Sequence, residues 1–404
     1  MNNVAISGHQ FAVIRVVLGV YLLCHFVGLW PHAIEMFSSE GMFVSQSILP
    51  TLDVFPNLFS ISDTPTMVHG VIITAIACAI MLILGVGRRW FAILLWICWL
   101  SLFNRNPFIS NPSIPFIGVA LLLMAALPHG EPWARRKPVL DWHVPNWVAN
   151  GALLLLMLGY TVSGLHKLTA ATWVDGTALT HVLNLPIARD NWIRELLMEQ
   201  PAWLIQGATW GALAMEILAL PLALIRRLRP WIWLGLSMMN IGILFVINFA
   251  DLTFGVLVFH IFVFDGRWLP GRRFESEHPI IFFDGVCNLC NHTVDFIMCE
   301  DRNERFKFAP VQGTTAEVIE AQEVRSGESM ALMDGEKLYT KSDAVLMVAA
   351  GLGGIWRVLS WSRFIPRPLR NTVYFQVQKN RYSVFGKKDT CRLPTPQERA
   401  RFLP

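Results

Sequence analysis

The 404-residue chain is apolar for its length: 54% of its residues are hydrophobic, 15% are charged, and the formal net charge is +4. The charge is unevenly placed, with 29 Asp, Glu, Lys and Arg residues in 1–274 and 33 in 275–404. That split excludes a protein soluble throughout, a disordered chain and a disulfide-rich secreted domain, and the small net charge is not gathered into a nucleic-acid patch.

A helix crosses a hydrocarbon core about 30 Å thick with roughly 20 apolar residues. Stretches 11–30, 67–86, 147–165, 202–225 and 231–250 satisfy this, whereas 90–103, 114–127 and 252–264 are shorter. Each short stretch fits a tilted span, a half-helix or an in-plane segment. No small-residue cleavage site follows the first apolar run, so it reads as a retained span. Fourteen of the 16 Trp residues lie in this half, several at span ends such as Trp30, Trp90, Trp147 and Trp231, as interfacial anchors do. If all eight segments cross, 11 basic residues fall on one side and 4 on the other. The positive-inside rule then places both termini in the cytoplasm. The expected fold is an α-helical polytopic membrane bundle of about eight spans over 1–270, a linker over 271–278, and a small α/β domain over 279–404.

An ionisable residue at membrane depth is a functional hypothesis by default. Glu216 lies mid-span; its bland explanation is a structural pair, with Arg15 the expected partner. His25, His69 and His260, within or near spans, read first as interhelical hydrogen bonds. At the outer boundary of the span 147–165 come His166 and Lys167, followed by Trp173-Val-Asp-Gly. A lysine beside an apolar site has its charged form disfavoured and can act as a base; a snorkelling anchor is the alternative.

The span pattern over about 8–270, with Ser163-Gly-Leu-His-Lys-Leu and Trp173-Val-Asp-Gly at its core, resembles vitamin K-dependent gamma-carboxylase and its bacterial relatives, the HTTM family. The resemblance implies that Lys167 is the base that deprotonates a hydroquinone. It also implies an intramembrane acid at Glu216, polar active-site groups in Asn104-Arg-Asn-Pro-Phe-Ile-Ser-Asn (Arg105 and Asn106 among them), and a quinone as possible ligand. The carboxylase's lumenal substrate domain has no counterpart here, so gamma-carboxylation itself is not expected.

The second half opens on Ile280-Ile-Phe-Phe-Asp-Gly-Val-Cys-Asn-Leu-Cys-Asn-His: a buried strand, a turn at Asp284-Gly285, and a helix starting near Cys287. A Cys-x-x-Cys at a strand-to-helix turn is the thioredoxin-like redox arrangement. Cys287 at the helix N-terminus feels the positive end of the dipole, which favours its thiolate and makes it the attacking sulfur. Cys290, one turn along, closes the disulfide and resolves mixed intermediates. Asp284 is a candidate proton relay, or equally a turn residue or helix cap. Further on, 306–310 reads as a strand, 315–323 as a helix, 329–340 as a hairpin with an Asp-Gly turn, 342–350 and 356–362 as helices, and 381–394 as a basic tail carrying Cys391.

These residues resemble the DCC family of thiol–disulfide oxidoreductases, named for Asp-x-x-Cys-x-x-Cys. The likeness covers nearly all of 278–394 through Phe-Asp-Gly-Val-Cys-Asn-Leu-Cys, Phe-Lys-Phe-Ala-Pro, Lys-Ser-Asp-Ala-Val-Leu, Pro-Arg-Pro-Leu-Arg and Asn-Arg-Tyr-Ser-Val-Phe-Gly. One departure from thioredoxins stands out: no proline occurs between Pro310 and Pro366 to supply their cis-proline, and Gly327 to Ser329 are expected to replace it.

Cys24, Cys78 and Cys98 read as apolar packing residues, Cys299 as structural, and Cys391 as a third redox thiol or a surface cysteine. A cytoplasmic setting keeps thiols reduced. No metal is assigned, although Cys287, Cys290, Cys391 and His292 are the ligands a zinc site would use. The leading expectation is a membrane-anchored thiol–disulfide oxidoreductase of a bacterial inner membrane. It would act on a thiol or disulfide protein or small molecule, with a quinone or lipid-like ligand bound by the membrane half. The alternatives are a lysine-base membrane enzyme with a regulatory DCC domain, and a membrane-tethered redox or zinc sensor.

Overall fold

The computed structural model describes residues 5–42, 55–106, 109, 111–135, 138–139, 141–248, 250–301, 303–317, 324, 329–388, 394–396 and 398–404. Cys391, Asp53, the 136–137 pair, 318–323 and Gly327 therefore lie outside the described residues. The chain forms two compact units, one over Gly8–Phe264 and the other over Asp265–Pro404 with the residues that precede Gly8.

The first unit is helical. Its main helices are α1 (Gly8–Leu29), α2 (Pro65–Ile83), α3 (Arg88–Arg105), α4 (Ser113–Ala126), α5 (Asn146–Lys167), α6 (Ala202–Ile217), α7 (Ala219–Leu224), α8 (Arg229–Val246) and α9 (Ala250–Phe262). Starts follow local chemistry: Thr64 caps α2 by accepting the Met67 N–H, with Pro65 in the first turn where its missing donor costs nothing. Helices stand at all eight expected places. Among the described residues, four helical stretches are long and apolar enough to cross a membrane: Gly8–Phe37, Pro65–Ile83, Asn146–Lys167 and Arg229–Val246. α4, α6 and α9 have 14, 16 and 13 residues, or about 20–24 Å at 1.5 Å per residue, short of a perpendicular crossing. α3 carries three arginines in 18 residues.

The expected single span 202–225 is two helices that meet at Leu218. Pro221 explains the break, since it has no N–H to give and its ring opposes the carbonyl of residue 217. Thr161 on α5 satisfies the groups set free: its hydroxyl is shared between the carbonyls of Glu216 and Ile217, 3.2 Å from each, and accepts the Leu220 N–H at 3.0 Å. A side chain from a neighbouring helix is what allows such a break in an apolar setting.

The second unit is a mixed sheet with helices. Strands β1 (Ile280–Phe283), β2 (Lys307–Pro310), β3 (Ala331–Asp334) and β4 (Lys337–Thr340) run in the spatial order β2-β1-β3-β4. β1 and β2 are parallel, joined through helix α10 (Asn288–Glu300), while β3 is antiparallel to both β1 and β4. β3 and β4 form the expected hairpin with a two-residue Gly335-Glu336 loop. Gly335 takes φ +62°, the value a Gly-first tight turn needs. Helices α11 (Lys341–Leu352), α12 (Gly354–Ser360) and α13 (Arg367–Phe385) follow. α13 takes in only the start, 381–385, of the stretch that reads in sequence as a basic tail. Ile281, Phe283, Val294, Phe306, Phe308 and Leu332 are buried together in the core, and the apolar β1 is covered on both faces, as its unbroken apolar run requires.

Candidate functional site

The turn after β1 delivers the Cys pair. Cys287 is extended and caps α10, its N–H bonded to the Asp284 carbonyl and its own carbonyl accepting the Asn291 N–H at 3.0 Å. The Asn291 amide reaches back to the Gly285 carbonyl, also at 3.0 Å. Both cysteines are free thiols and lie close together. They differ in access: Cys287 is 0% exposed, and Cys290 is half-buried. Burial, and next the neighbouring Cys287, push the Cys290 thiol up to about 12, while Arg381 pulls in the opposite direction.

The end of α13 buries Cys287. Gly386, at φ +82°, stops the helix, and the chain then pairs with the Cys turn: Lys388 N–H to Val286 O at 2.8 Å, and Cys287 bridging Lys387. The Asn288 amide holds the Phe385 carbonyl at 2.9 Å.

Asp284, 5% exposed, is the node of the site. One oxygen accepts the Val286 N–H at 3.2 Å and the Gln312 amide at 2.9 Å; the other accepts Arg381 at 3.3 Å and the Tyr382 hydroxyl. Asp284 thus is the turn residue of the Cys loop, and also the anchor to which α13 is tied. Tyr382 has its hydroxyl pushed up by burial and by its bond to Asp284. Sequence reasoning quoted the segment 380–386 without giving Arg381 or Tyr382 a role. The signal available was the 369, 373, 377 apolar spacing, which marks 367–385 as a helix with an apolar face.

Cys290 faces a cavity of about 570 Å³, walled chiefly by apolar side chains of α10 to α13 and reached by Asp284, Ser329, Tyr374, Gln378 and Arg381. The Met330 N–H at the head of β3 is taken by the Tyr374 hydroxyl at 3.0 Å. Asp343 on α11 pins the start of α13 through Arg367 and Arg370, each at 2.8 Å.

In the helical unit the structure brings together Lys167 and Glu216. The ammonium sits 2.6 Å from both carboxylate oxygens and 4.5 Å above the Trp173 ring, and Ser163 donates to Glu216 at 3.2 Å. Gly164 allows this approach: a Cβ there would lie 2.8 Å from the Ile217 nitrogen. The expected partner Arg15 is elsewhere, donating to the carbonyls of Ile83 and Trp133. Ile83 closes α2, where the last carbonyls have no partner within the helix. His166 is exposed beside the pair. Arg105 and Asn106 are buried but turn to Ser38, Asp63 and Met36, so they are not brought to Lys167. His260 accepts or donates to Tyr160 at 2.7 Å and Ser237 at 2.9 Å, an interhelical hydrogen-bond role. A second cavity of about 730 Å³ is lined by Tyr21, His25, Trp99, Asn111 and Phe254 among others, and not by Lys167 or Glu216. Among the described residues, no group of three His, Cys, Asp or Glu side chains is placed to hold a metal ion.

Residues 281–387 match the family model described as DCC1-like thiol-disulfide oxidoreductase. An uncharacterized protein of Bacillus subtilis, YuxK, is 38% identical over 136 residues, which is 32% of this chain and 97% of that protein. A chloroplastic DCC family protein of Arabidopsis thaliana is 34% identical over 123 residues, 30% of this chain and 72% of the relative. The chain belongs to the DCC family. No solved structure matches. The DCC likeness rests on the second unit, and the matched range includes Asp284, Cys287 and Cys290.

Proposed function

We propose that the protein is a membrane-anchored thiol–disulfide oxidoreductase that works through Cys287 and Cys290 in a thioredoxin-like domain. The observation that carries this reading is two free, closely spaced thiols at a strand-to-helix turn, one of them facing a ligand-sized cavity. The order of attack is the reverse of the one expected from sequence, because the 386–388 segment covers Cys287. An incoming thiolate attacks the Cys290 sulfur of the oxidised pair. The 287–290 bond breaks, and Cys287 departs as the leaving thiolate and takes up a proton. A second substrate thiol then displaces Cys290, leaving substrate disulfide and protein dithiol, with two electrons and two protons transferred. Run backwards, Cys290 forms the mixed disulfide and Cys287 resolves it. The test is a titration in dithiol redox buffer with alkylated cysteines counted by mass. Cys287→Ser is expected to accumulate a mixed disulfide on Cys290, and Cys290→Ser to form none. A mixed disulfide on Cys287 in the Cys290→Ser protein would restore the sequence order, and no reversible two-electron step at all would overturn the function.

The helical unit is read as the anchor, in a bacterial inner membrane with eight crossings and both termini cytoplasmic; the 11-to-4 distribution of basic residues supports this. The second cavity supports a quinone or lipid-like ligand there, its polar groups His25, Tyr21 and Asn111 set in an apolar wall. One observation favours a second reading, a lysine-base enzyme of HTTM type: the Lys167–Glu216 pair stands at a broken helix. On that reading Lys167→Ala abolishes turnover and Cys287→Ser does not.

A further inference from the structure

From Gly354 to Lys388 the chain has eight Lys and Arg residues and no Asp or Glu. Asp343 and Asp284 pair with three of the eight, offsetting two charges and leaving a surplus of six. The same stretch exposes large apolar side chains: Phe364 is 81% exposed, Val373 66%, Leu369 61% and Trp361 53%. Solvated faces of soluble domains do not combine these features at such density, whereas helices that lie in a bilayer interface do.

The cavity beside Cys290 opens on this face. Ile365, Leu369, Val373 and Val377 line the cavity and are also exposed at the surface, so the way in passes between apolar side chains of α13 and the turn before it. At the inner end, the Met330 N–H is already bonded to the Tyr374 hydroxyl. An extended peptide that docks by strand pairing needs such a donor. A molecule that needs only apolar contact does not.

We propose that the α12–α13 face contacts an anionic bilayer, and that the cavity is a binding site for a hydrocarbon-bearing molecule that enters from the lipid and meets Cys290. Aromatic side chains at the headgroup level and cations against anionic lipid supply the recognition. The inference rests on the thiol-exchange reading only for what happens at the sulfur; membrane contact stands apart from it.

The second unit is compact in itself, and a relative 97% covered by the match consists of little else, so 265–404 folds as a unit and is tested alone. It is sedimented with phosphatidylcholine vesicles and with phosphatidylcholine–phosphatidylglycerol vesicles, and labelled with N-dodecylmaleimide in the vesicles or a sulfonated maleimide in the water. Phosphatidylglycerol is expected to raise the bound fraction severalfold, and Phe364→Glu, a residue outside the cavity wall, to abolish that gain while the dithiol titration stays unchanged. The dodecyl reagent is expected to label Cys290 and the sulfonated one to spare it. Equal binding to both vesicle types, or full binding by Phe364→Glu, overturns the membrane face; equal labelling by the two reagents overturns lipid-side entry. A failed dithiol titration with vesicle binding intact sinks the redox function and spares the membrane face.

Discussion

Each unit of the molecule holds a buried carboxylate against a cation from another helix, and the two are built for different purposes. Glu216 has one ammonium and one hydroxyl as partners, sits at a break between α6 and α7, and faces a lysine that is 26% exposed. Asp284 has four donors from three separate segments and faces an arginine that is 11% exposed. A lysine can surrender its proton and an arginine does not. The helical unit therefore sets its acid against a cation of the type that serves as a base, whereas the acid of the DCC unit is fixed in place by four donors.

Titration of the Cys290 sulfur gives the largest expected effect. With the Cys290 thiol pushed up to about 12, the reactive thiolate is scarce at neutral pH and rises about tenfold per pH unit below that value. Alkylation of Cys290 by iodoacetamide, followed by mass, is expected to speed up about 100-fold from pH 7 to pH 9. Arg381→Met removes the charge that favours the thiolate and should slow it further. A rate that levels off between pH 7 and 8 would mean that the sulfur ionises freely, and the contrast with Asp284 would lose its point.

Asp284→Ala tests whether that acid is an anchor. It strands Arg381 and Tyr382 and releases the Cys turn, so the unit should lose about 3 kcal/mol in urea denaturation. Asp284→Asn keeps the Val286 and Gln312 bonds and should lose less. Unchanged stability with loss of exchange in the Asn variant would instead make Asp284 a proton relay. Lys167→Met leaves Glu216 with only the Ser163 bond, at a cost of about 2 kcal/mol given the partial exposure of the lysine. Lys167→Arg should restore the stability and, if the proton of Lys167 moves in turnover, not the activity.

Much of this was legible from local chemistry. The strand, turn and helix around Cys287 and Cys290 follow from four apolar residues, Asp284-Gly285 and the cap position, and the structure keeps all three. The hairpin at 331–340 is similarly local. What the sequence hid depends on distant partners. Burial of Cys287 comes from pairing with 386–388, about a hundred residues away. Glu216 needed a cation, and both Arg15 and Lys167 were available. Only the packing of α5 on α6, close because Gly164 has no side chain, selects Lys167.

The break between α6 and α7 in the helical unit offers the finest test of how the Lys167–Glu216 pair is positioned. Pro221 frees carbonyls at the end of α6, and the Thr161 hydroxyl serves two of them and the Leu220 N–H. Thr161→Val keeps the shape and removes the hydroxyl, so two acceptors and a donor lose their partner, at an expected cost of about 1 kcal/mol. Thr161→Ser retains the bonds and should be near neutral. If the break exists to aim Glu216, the valine variant also loosens the ion pair, and Lys167 should react faster with an acylating reagent in proteoliposomes. If Lys167 reacts at the wild-type rate while stability falls, the hydroxyl serves the backbone alone and the Lys167–Glu216 pair is held by α5–α6 packing.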